Sequence, residues 1–544
     1  MFKHEKKKQN KFGLMAVLMM VTPLVLAGIV ACYYYLRNNG MSWIPALKWN
    51  DEAAYYQLIK TCITTGQPLG YWGFNGNHAI VGTGSAWSPA IIWPYAIWAY
   101  IFPLSKGFVY FVNLFYIVLA NFIFYCCVKP DRRQCLKLAL AQATSAVFVL
   151  YLSVNMSEML RFAIAIVIAG LLYKIMFGSA SKLMKYFITP FVIIWATQVY
   201  VFFAFCVPIY VFAIMKEKQL WKKILVAGGS TCVVAFGSYY LLHLISSNYN
   251  IHKTEALLSA VKSMDIVGAV MAFLRMMKQG ALDVFHLWTY VYTNPLIPFH
   301  VLFGGFLVLI SLGILLKFWW RGKKKTDKSK GASKRKRKAV DALSHDSVIA
   351  LIVCYGIVLF YLMYMTLYSI DPFTFMRGTY IVIIFSMYFM AMLERKSIYF
   401  IIIGVQAISL LFLPINMDYY MSNHYMSREE NVEWENLENS VSAVIIPDEN
   451  KDAWGNTVAM YTMEPKAICS IPAGAGVNFI MEDGILPEDA EYLYFSLVPA
   501  EEQNSEWLVR DYEAFCRQFA DILAADYEVI YNNGEYIIYQ KNRT

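Results

Sequence analysis

Long apolar runs recur through the first three quarters of this sequence. A helix needs about 20 mostly apolar residues to cross the ~30 Å hydrocarbon core of a bilayer. Eleven candidate spans meet or approach this length: 14–36, 107–128, 136–154, 160–177, 186–198, 200–215, 223–244, 296–320, 347–369, 375–393 and 398–415. Only 16% of all residues are charged and 58% are hydrophobic, so the sequence predicts a polytopic α-helical membrane protein and excludes a soluble enzyme.

The positions of lysine and arginine predict the orientation of these spans. Dense basic clusters lie at 3–11, 129–137, 182–185, 216–223, 321–338 and 394–396. All of them face the cytoplasm if the N-terminus is cytoplasmic, as the positive-inside rule requires. This solution makes the Trp- and Tyr-rich segment 89–103 interfacial or re-entrant, and it divides the long run 186–215 into two spans near Gln198.

Charge also divides the chain into domains. From Met417 onward there are 24 acidic and 7 basic residues, which leaves 14 acidic and 40 basic residues before it. We therefore predict a membrane domain over 1–415 and an acidic extracytoplasmic domain over 416–544. Within the membrane domain, 321–346 is predicted to be a basic cytoplasmic linker that contacts anionic lipid, and its position beside a span argues against nucleic-acid binding.

The acidic tail has the patterns of a small α/β domain. The stretches "VSAVIIP", "NTVAMYTM" and "AEYLYFSLV" predict strands, and "SEWLVRDYEAFCRQFADIL" predicts an amphipathic helix. The final "YEVIYNNGEYIIYQK" predicts a hairpin that turns at Asn-Gly. The tail shows no obvious catalytic motif, so a role in glycan recognition or docking is its predicted function.

The first outward loop contains an unusual acidic pair in the stretch "KWNDEAAYYQLIKT", residues 48–61. Asp51 and Glu52 precede a predicted helix, where carboxylates offset unpaired N–H groups and the helix dipole. That capping role is one interpretation. The other is catalytic: a carboxylate at a membrane-surface cavity acts as general base, while Trp49, Tyr55 and Tyr56 bind the face of a sugar.

This loop resembles that of the C-type membrane glycosyltransferases (GT-C fold), the superfamily of protein O-mannosyltransferases and lipid A aminoarabinose transferases. The similar elements are the motif Asp-Glu-x-x-Tyr-Tyr, the following "GYWGFNGNHAIVGTGSAWSPAIIWPYAIW", the many spans and the outward tail. The resemblance implies that Asp51 is the catalytic acid, with Glu52 assisting, and that the segment from Pro89 is a juxtamembrane helix.

A second candidate site element is "NMSEMLRF", 155–162, in a short outward turn. Superfamily members often carry a further acid there, which implies substrate binding by Glu158 and Arg161, or a Mg or Mn ion held by Asp51 and Glu158. The Asp-x-Asp form is absent, which puts metal dependence in doubt. The alternative is a simple pair across one helical turn, because the two residues are three apart.

The third element is "DPFTFMRGTY", 371–380, which resembles the Arg-Tyr-bearing entry to a late span in these transferases. It implies that Arg377 and Tyr380 bind substrate, and a guanidinium suits a phosphate. Pairing of Arg377 with Asp371 is the alternative. Arg275 and Lys278 are weaker phosphate-binding candidates, and His78 is either a substrate contact or a surface histidine.

Together these elements predict a multi-pass plasma-membrane enzyme of the hexosyltransferase type. It would transfer a sugar from a polyprenyl-phosphate donor to an envelope glycan, lipid or protein, with inversion at the anomeric carbon. Two other functions remain open: a polymerase of lipid-linked polysaccharide repeat units, and a transporter that flips lipid-linked sugars. A transporter would favour paired charges at mid-membrane depth and an internal repeat.

Overall fold

The structure is a computed structural model in which most of the helical part of the chain is described. The described residues are 13–37, 44–45, 52, 55–56, 58–59, 62–63, 88–105, 107–215, 219–245, 255–328, 344–367, 372–425, 443–444, 492–496, 516–532 and 536–542. Within them, seven helices are long and apolar enough to cross a membrane: Leu14–Arg37, Phe108–Val128, Glu158–Phe177, Trp221–Leu242, Leu296–Trp320, His345–Leu367 and Lys396–Asp418. These seven coincide with seven of the predicted spans.

The helices are numbered here in chain order. They are α1 (Leu14–Arg37), α2 (Pro89–Ala99), α3 (Phe108–Val128), α4 (Arg132–Ala143), α5 (Ala146–Tyr151), α6 (Glu158–Phe177), α7 (Thr189–Val199), α8 (Cys206–Ile214), α9 (Leu220–Ile245), α10 (Glu255–Lys262), α11 (Ile266–His286), α12 (Leu296–Lys328), α13 (His345–Leu367), α14 (Pro372–Met390), α15 (Lys396–Ala407), α16 (Leu413–His424) and α17 (Ala520–Asp526). A π-helical turn, Met184–Ile188, precedes α7, and 3-10 turns occupy Val201–Phe205, Leu287–Val291 and Ile408–Phe412.

Helix α6 lies at the centre of the bundle. Its sequence is apolar on all sides, which is typical of a helix surrounded by protein, and 72% of its most apolar stretch is buried. It packs closely on α3 at Gly170, where a Cβ would lie 3.1 Å from the Cα of Phe124. The residues that begin α6 are therefore held at a fixed place at one end of the bundle.

That end, called the site end below, is defined by contacts between distant parts of the chain. Arg37 at the end of α1 pairs with Asp418 of α16, with 3.0 Å between guanidinium nitrogen and carboxylate oxygen. Tyr425, just after α16, donates from its hydroxyl to the backbone oxygen of Ser153 at 2.8 Å. The ends of α1 and α16 thus lie beside the start of α6.

The opposite end of the bundle collects the predicted cytoplasmic residues. Lys137 of α4 is buried, and its Nζ donates to the backbone oxygens of Ala391 and Leu393 at 3.1 and 2.9 Å. A cation suits these carbonyls because they lie at the C-terminal end of α14. Arg395 lies 3.8 Å from the Asp346 carboxylate in the first turn of α13. Basic residues of 129–137 and 394–396 therefore share one end, as predicted, although their side of the membrane remains a prediction.

The apolar run 186–215 divides into two antiparallel helices close to the predicted Gln198, although neither is among the seven membrane-crossing candidates of the described residues and their role as two spans stays a prediction. The hydroxyl of Tyr210 in α8 donates to the backbone oxygen of Lys185 at 2.7 Å, so α8 runs back along α7. The chain reverses at Tyr200, which has an extended backbone, and in the 3-10 turn that follows. Tyr200 is thereby placed at the site end.

Two further segments differ in how they match the predicted spans. Helix α2 has 11 residues, about 16 Å at 1.5 Å per residue, which is too short to cross a bilayer and agrees with the interfacial prediction. The predicted span 136–154 is interrupted between α4 and α5 at Thr144 and Ser145. Ser409 stabilises the break, since its Oγ accepts from Ala146 N at 3.1 Å. The total of eleven spans stays a prediction.

The described parts of the tail form a four-stranded mixed sheet. Its strands are β1 (Ala443–Val444), β2 (Tyr492–Ser496), β3 (Tyr527–Asn532) and β4 (Tyr536–Lys541), in the order β1-β2-β4-β3. β1 is parallel to β2, and β3 and β4 form the predicted antiparallel hairpin, with an irregularity between Val529 and Tyr531. The stretch "NTVAMYTM" lies outside the described residues.

Candidate active site

The turn that precedes α6, residues 153–157, is the structural centre of the candidate site. Asn155 in this turn joins three other segments. Its backbone N–H donates to Oε1 of Glu52 at 2.7 Å, and its Nδ2 donates to the backbone oxygen of Pro45 at 3.0 Å. Its Oδ1 accepts from the backbone N–H of Tyr110 at 3.0 Å. Three hydrogen bonds therefore fix one residue between the first loop and α3.

Glu52 is completely buried, so its carboxylate needs the partners it has. The described positions around it, Tyr55, Tyr56 and Ile59, are helical and buried, and their spacing places them on one face with Glu52. Tyr55 Oη accepts from Ser157 Oγ at 2.8 Å. The described residues of 52–59 in the first loop are thus helical, as predicted, and their buried face is hydrogen-bonded to the turn before α6.

A second set of bonds connects the turn to α2. Asn113 of α3 donates from Nδ2 to the backbone oxygen of Met156 at 2.7 Å, and its Oδ1 accepts from Tyr95 Oη at 2.7 Å. All three residues are buried. The short helix α2 therefore lies against the site end of α3 and supports the same turn.

Glu158, the first residue of α6, lies between two arginines. Its Oε1 is 3.4 Å from Nη1 of Arg161, one turn along the same helix, and 3.5 Å from Nη1 of Arg377 on α14. The three side chains are 2%, 10% and 19% exposed. The alternative of an i, i+3 pair is thus present, but Arg377 extends it across two helices. Called the arginine cluster below, these three residues hold two positive charges and one negative charge.

The cluster favours an anionic ligand over a metal ion. Arg161 packs over the ring of Tyr200, with 4.9 Å from its Cζ to the ring centroid, so the hairpin closes one side. Oε2 of Glu158 has no hydrogen-bond partner among the described residues. Two guanidinium groups beside this carboxylate repel a divalent cation, and the described part of the chain contains no group of three His, Cys, Asp or Glu side chains that could hold a metal. Glu158 therefore fits the proposed Mg or Mn ion poorly.

Other candidates lie elsewhere. Tyr380 is buried between the rings of Phe162 and His300, at 4.9 and 5.9 Å between centroids, and is a core residue in this structure. Arg275 and Lys278 lie exposed on α11. No contact among the described residues joins either of them to the arginine cluster.

Three predicted site residues lie outside the described residues: Trp49, Asp51 and His78. The same is true of Asp371, the alternative partner of Arg377. The roles predicted for these four residues stay predictions.

Sequence reasoning missed several residues that shape the site. Asn155, Ser157 and Asn113 are small polar residues whose partners are distant in sequence, and Tyr200 lies in the middle of an apolar run. The one available signal was the polar composition of "NMSE" at the start of an otherwise apolar helix.

No protein-family model and no curated protein matches the sequence significantly. Among solved structures, the chain is similar to ArnT from Cupriavidus metallidurans bound to undecaprenyl phosphate, with 9% identity, coverage of 96% of this chain and 97% of that one, and a TM-score of 0.45. It is also similar to the archaeal oligosaccharyltransferase AglB from Archaeoglobus fulgidus in complex with an inhibitory peptide and a dolichol-phosphate, with 13% identity, coverage of 98% and 75%, and a TM-score of 0.46.

Both proteins are membrane glycosyltransferases of the GT-C fold, the group that the first outward loop resembles. At these identities and TM-scores the likeness assigns no role to any residue of this chain.

Proposed function

We propose that this chain transfers a hexose from a polyprenyl-phosphate donor to an acceptor hydroxyl at the site end of the bundle, with inversion of the anomeric carbon. The observation that carries the proposal is the arginine cluster, which places the guanidinium groups of Arg161 and Arg377 on either side of one carboxylate where α6 and α14 begin. A phosphate attached to a lipid chain fits this place in two ways. The guanidinium groups can bind the phosphate oxygens, and the apolar surface of the helices can accommodate the lipid tail.

The proposed chemistry is a single displacement. The acceptor oxygen attacks the anomeric carbon, the bond from that carbon to the phosphate oxygen breaks, and the lipid phosphate leaves with the bonding electrons. Negative charge grows on the leaving oxygen, and Arg161 and Arg377 stabilise it there. The proton of the acceptor hydroxyl passes to a carboxylate that acts as general base.

We assign the base to Asp51 and a supporting role to Glu52. Glu52 is buried and already accepts the Asn155 N–H, so its carboxylate holds the turn before α6. In a helix, adjacent residues project about 100° apart, so a helical Asp51 would lie on a different face from Glu52. The sequence motif thus combines one structural and one reactive acid.

The site end is proposed to face outward from the plasma membrane. The basic clusters 129–137 and 394–396 lie at the opposite end, which the positive-inside rule places in the cytoplasm. The tail then follows α16 on the outer side, where an envelope glycan, lipid or protein serves as acceptor.

The test is release of polyprenyl phosphate by the protein purified in detergent. Polyprenyl-phosphate hexoses are offered with hydroxyl acceptors, and wild type is compared with Asp51→Asn, Arg377→Gln and the control Asp418→Asn, which removes an exposed carboxylate at the same end. We expect Asp51→Asn to lose at least 100-fold in rate, because general-base catalysis contributes about 10²–10⁴, and Asp418→Asn to retain activity.

Equal rates for wild type and Asp51→Asn would remove Asp51 as the base. Movement of the donor across proteoliposomes without release of lipid phosphate would replace the transferase proposal with a transporter.

A further inference from the structure

Helix α11 differs from the membrane-crossing helices because its surface combines charged and exposed apolar residues. It begins after Asp265, whose Oδ1 accepts from Gly268 N at 2.8 Å, and it runs for 21 residues to His286. It is not among the seven membrane-crossing candidates within the described residues. Arg275, Lys278 and Asp283 interrupt its apolar residues.

The height of α11 in the molecule is set by its contact with α13. Gly280 faces the backbone of Met365, and a Cβ there would lie 2.7 Å from the Met365 carbonyl carbon. Met365 is in the last turn of α13, which ends at Leu367 at the site end. At Gly280, α11 is therefore level with the end of a membrane-crossing helix.

Successive residues of a helix project about 100° apart, which divides the surface of α11 into three faces with different environments. One face, around Met276 and Gly280, is buried. The next face is apolar and exposed, and its members are Val267, Val270, Leu274 and Phe285, each more than half exposed. The third face is exposed and mostly polar, with Arg275, Gln279 and His286, although the exposed Leu282 lies beside Arg275. Lys278 lies at the border of the two exposed faces.

Exposed apolar side chains in this number need a nonaqueous cover, since apolar surface in water is unfavourable in proportion to its area. The neighbouring segments share the property: Met264 before α11 is 88% exposed and Tyr292 after it is 91% exposed. The charges beside the apolar face indicate that a lipid bilayer covers it. Cations that border an apolar face match the phosphate groups of anionic lipids, and long basic side chains can reach the headgroups while their stems contact acyl chains.

We infer that α11 lies in the membrane interface at the site end, with its apolar exposed face in the acyl region and Arg275 and Lys278 on lipid headgroup phosphates. The partner is the anionic bilayer itself. Arg275 and Lys278 then anchor the helix to the membrane, in place of the role in donor binding predicted from the sequence. This inference does not depend on the proposed transferase activity.

Photocrosslinking of the full chain in nanodiscs tests this placement. Benzoylphenylalanine replaces Leu274 or Phe285 on the apolar face and Gln279 or His286 on the polar face. It also replaces Met276 on the buried face, as a control that shows whether α11 is packed against the rest of the protein. After illumination, intact-mass analysis counts phospholipid adducts. We expect at least fivefold more adduct at 274 and 285 than at 279 and 286, and crosslinks to the chain itself at 276.

A second comparison tests the cations. In wild-type background, lipid adduct at 274 should rise when phosphatidylglycerol is added to phosphatidylcholine, and Arg275→Gln with Lys278→Gln should abolish that rise. Equal adduct on both exposed faces, or crosslinks from 274 to another segment of the chain, would overturn the inference. An unchanged response to phosphatidylglycerol in the double variant would refute the assignment of the two cations.

Discussion

The arginine cluster makes a quantitative prediction about stability. Glu158 is 2% exposed and compensates two guanidinium groups at 3.4 and 3.5 Å. Glu158→Gln keeps the size of the side chain but removes the negative charge from beside the buried Arg161 and the partly buried Arg377. Removing one partner of a buried ion pair costs about 3–5 kcal/mol, and we expect a loss in this range.

The effect of Arg377 should depend on Glu158. Arg377→Met alone removes a charged contact while Arg161 still compensates the carboxylate, so we expect about 2 kcal/mol, as for a hydrogen bond to a charged group. In Glu158→Gln with Arg377→Met, one cation instead of two is left, so the double variant should lose less than the sum of the single losses. We expect a coupling of about 1–3 kcal/mol.

The assay is unfolding by SDS in mixed micelles, followed by tryptophan fluorescence. The control is a second double-mutant cycle, made with Arg37→Met and Asp418→Asn. These two residues pair at the same end of the bundle, and their side chains are both 51% exposed. An exposed pair contributes about 0–1 kcal/mol. If Glu158→Gln is no more destabilising than Asp418→Asn and its cycle with Arg377 is additive, the description of a buried, charged cluster is wrong.

Two further predictions concern the packing of the site end. Glu52→Ala removes the acceptor of the buried Asn155 N–H and should cost about 1–3 kcal/mol in the same unfolding assay. Glu52→Gln keeps an acceptor oxygen and should recover at least half of that loss, and equal losses would show that the bond does not stabilise the turn. Gly280→Ala forces a Cβ against the Met365 backbone and should lower the melting temperature, whereas Gly305→Ala, with nothing within 4 Å, should leave it unchanged or raise it; a harmless Gly280→Ala would contradict the close contact of α11 with α13.

The membrane-spanning helices were the most predictable part of this molecule. Apolar length alone marks them, because the thickness of the bilayer fixes the number of residues needed. The basic clusters that flank 186–215 predicted its division, and the Tyr210–Lys185 bond shows that the run reverses, while its crossing of the membrane as two spans stays a prediction. The break at Thr144 and Ser145 was not predicted, although Ser145 caps α5 by accepting from Phe148 N; the contact of Ala146 with Ser409, more than 260 residues away, has no signal in the sequence.

The site was predictable in its residue types and less so in its contacts. Glu158 and Arg377 were recognised as charges at helix ends, where ionisable groups are costly, but no spacing links residues that are 219 positions apart. The burial of Glu52 against the turn before α6 could not be predicted either, because its partner there is the backbone N–H of Asn155. The burial of Tyr380 in the core could not be predicted, because a motif gives no information about which side of a helix the core occupies.

The bond from Tyr425 to Ser153 gives the tail a mechanical connection to the site. Residue 425 directly follows α16, and residue 153 begins the turn that leads into Glu158. A displacement of Tyr425 would therefore reach the backbone that positions the arginine cluster through this hydroxyl, while its ring also packs on Tyr34, with 4.3 Å between the ring centroids. Tyr425→Phe would cut this link while preserving the ring.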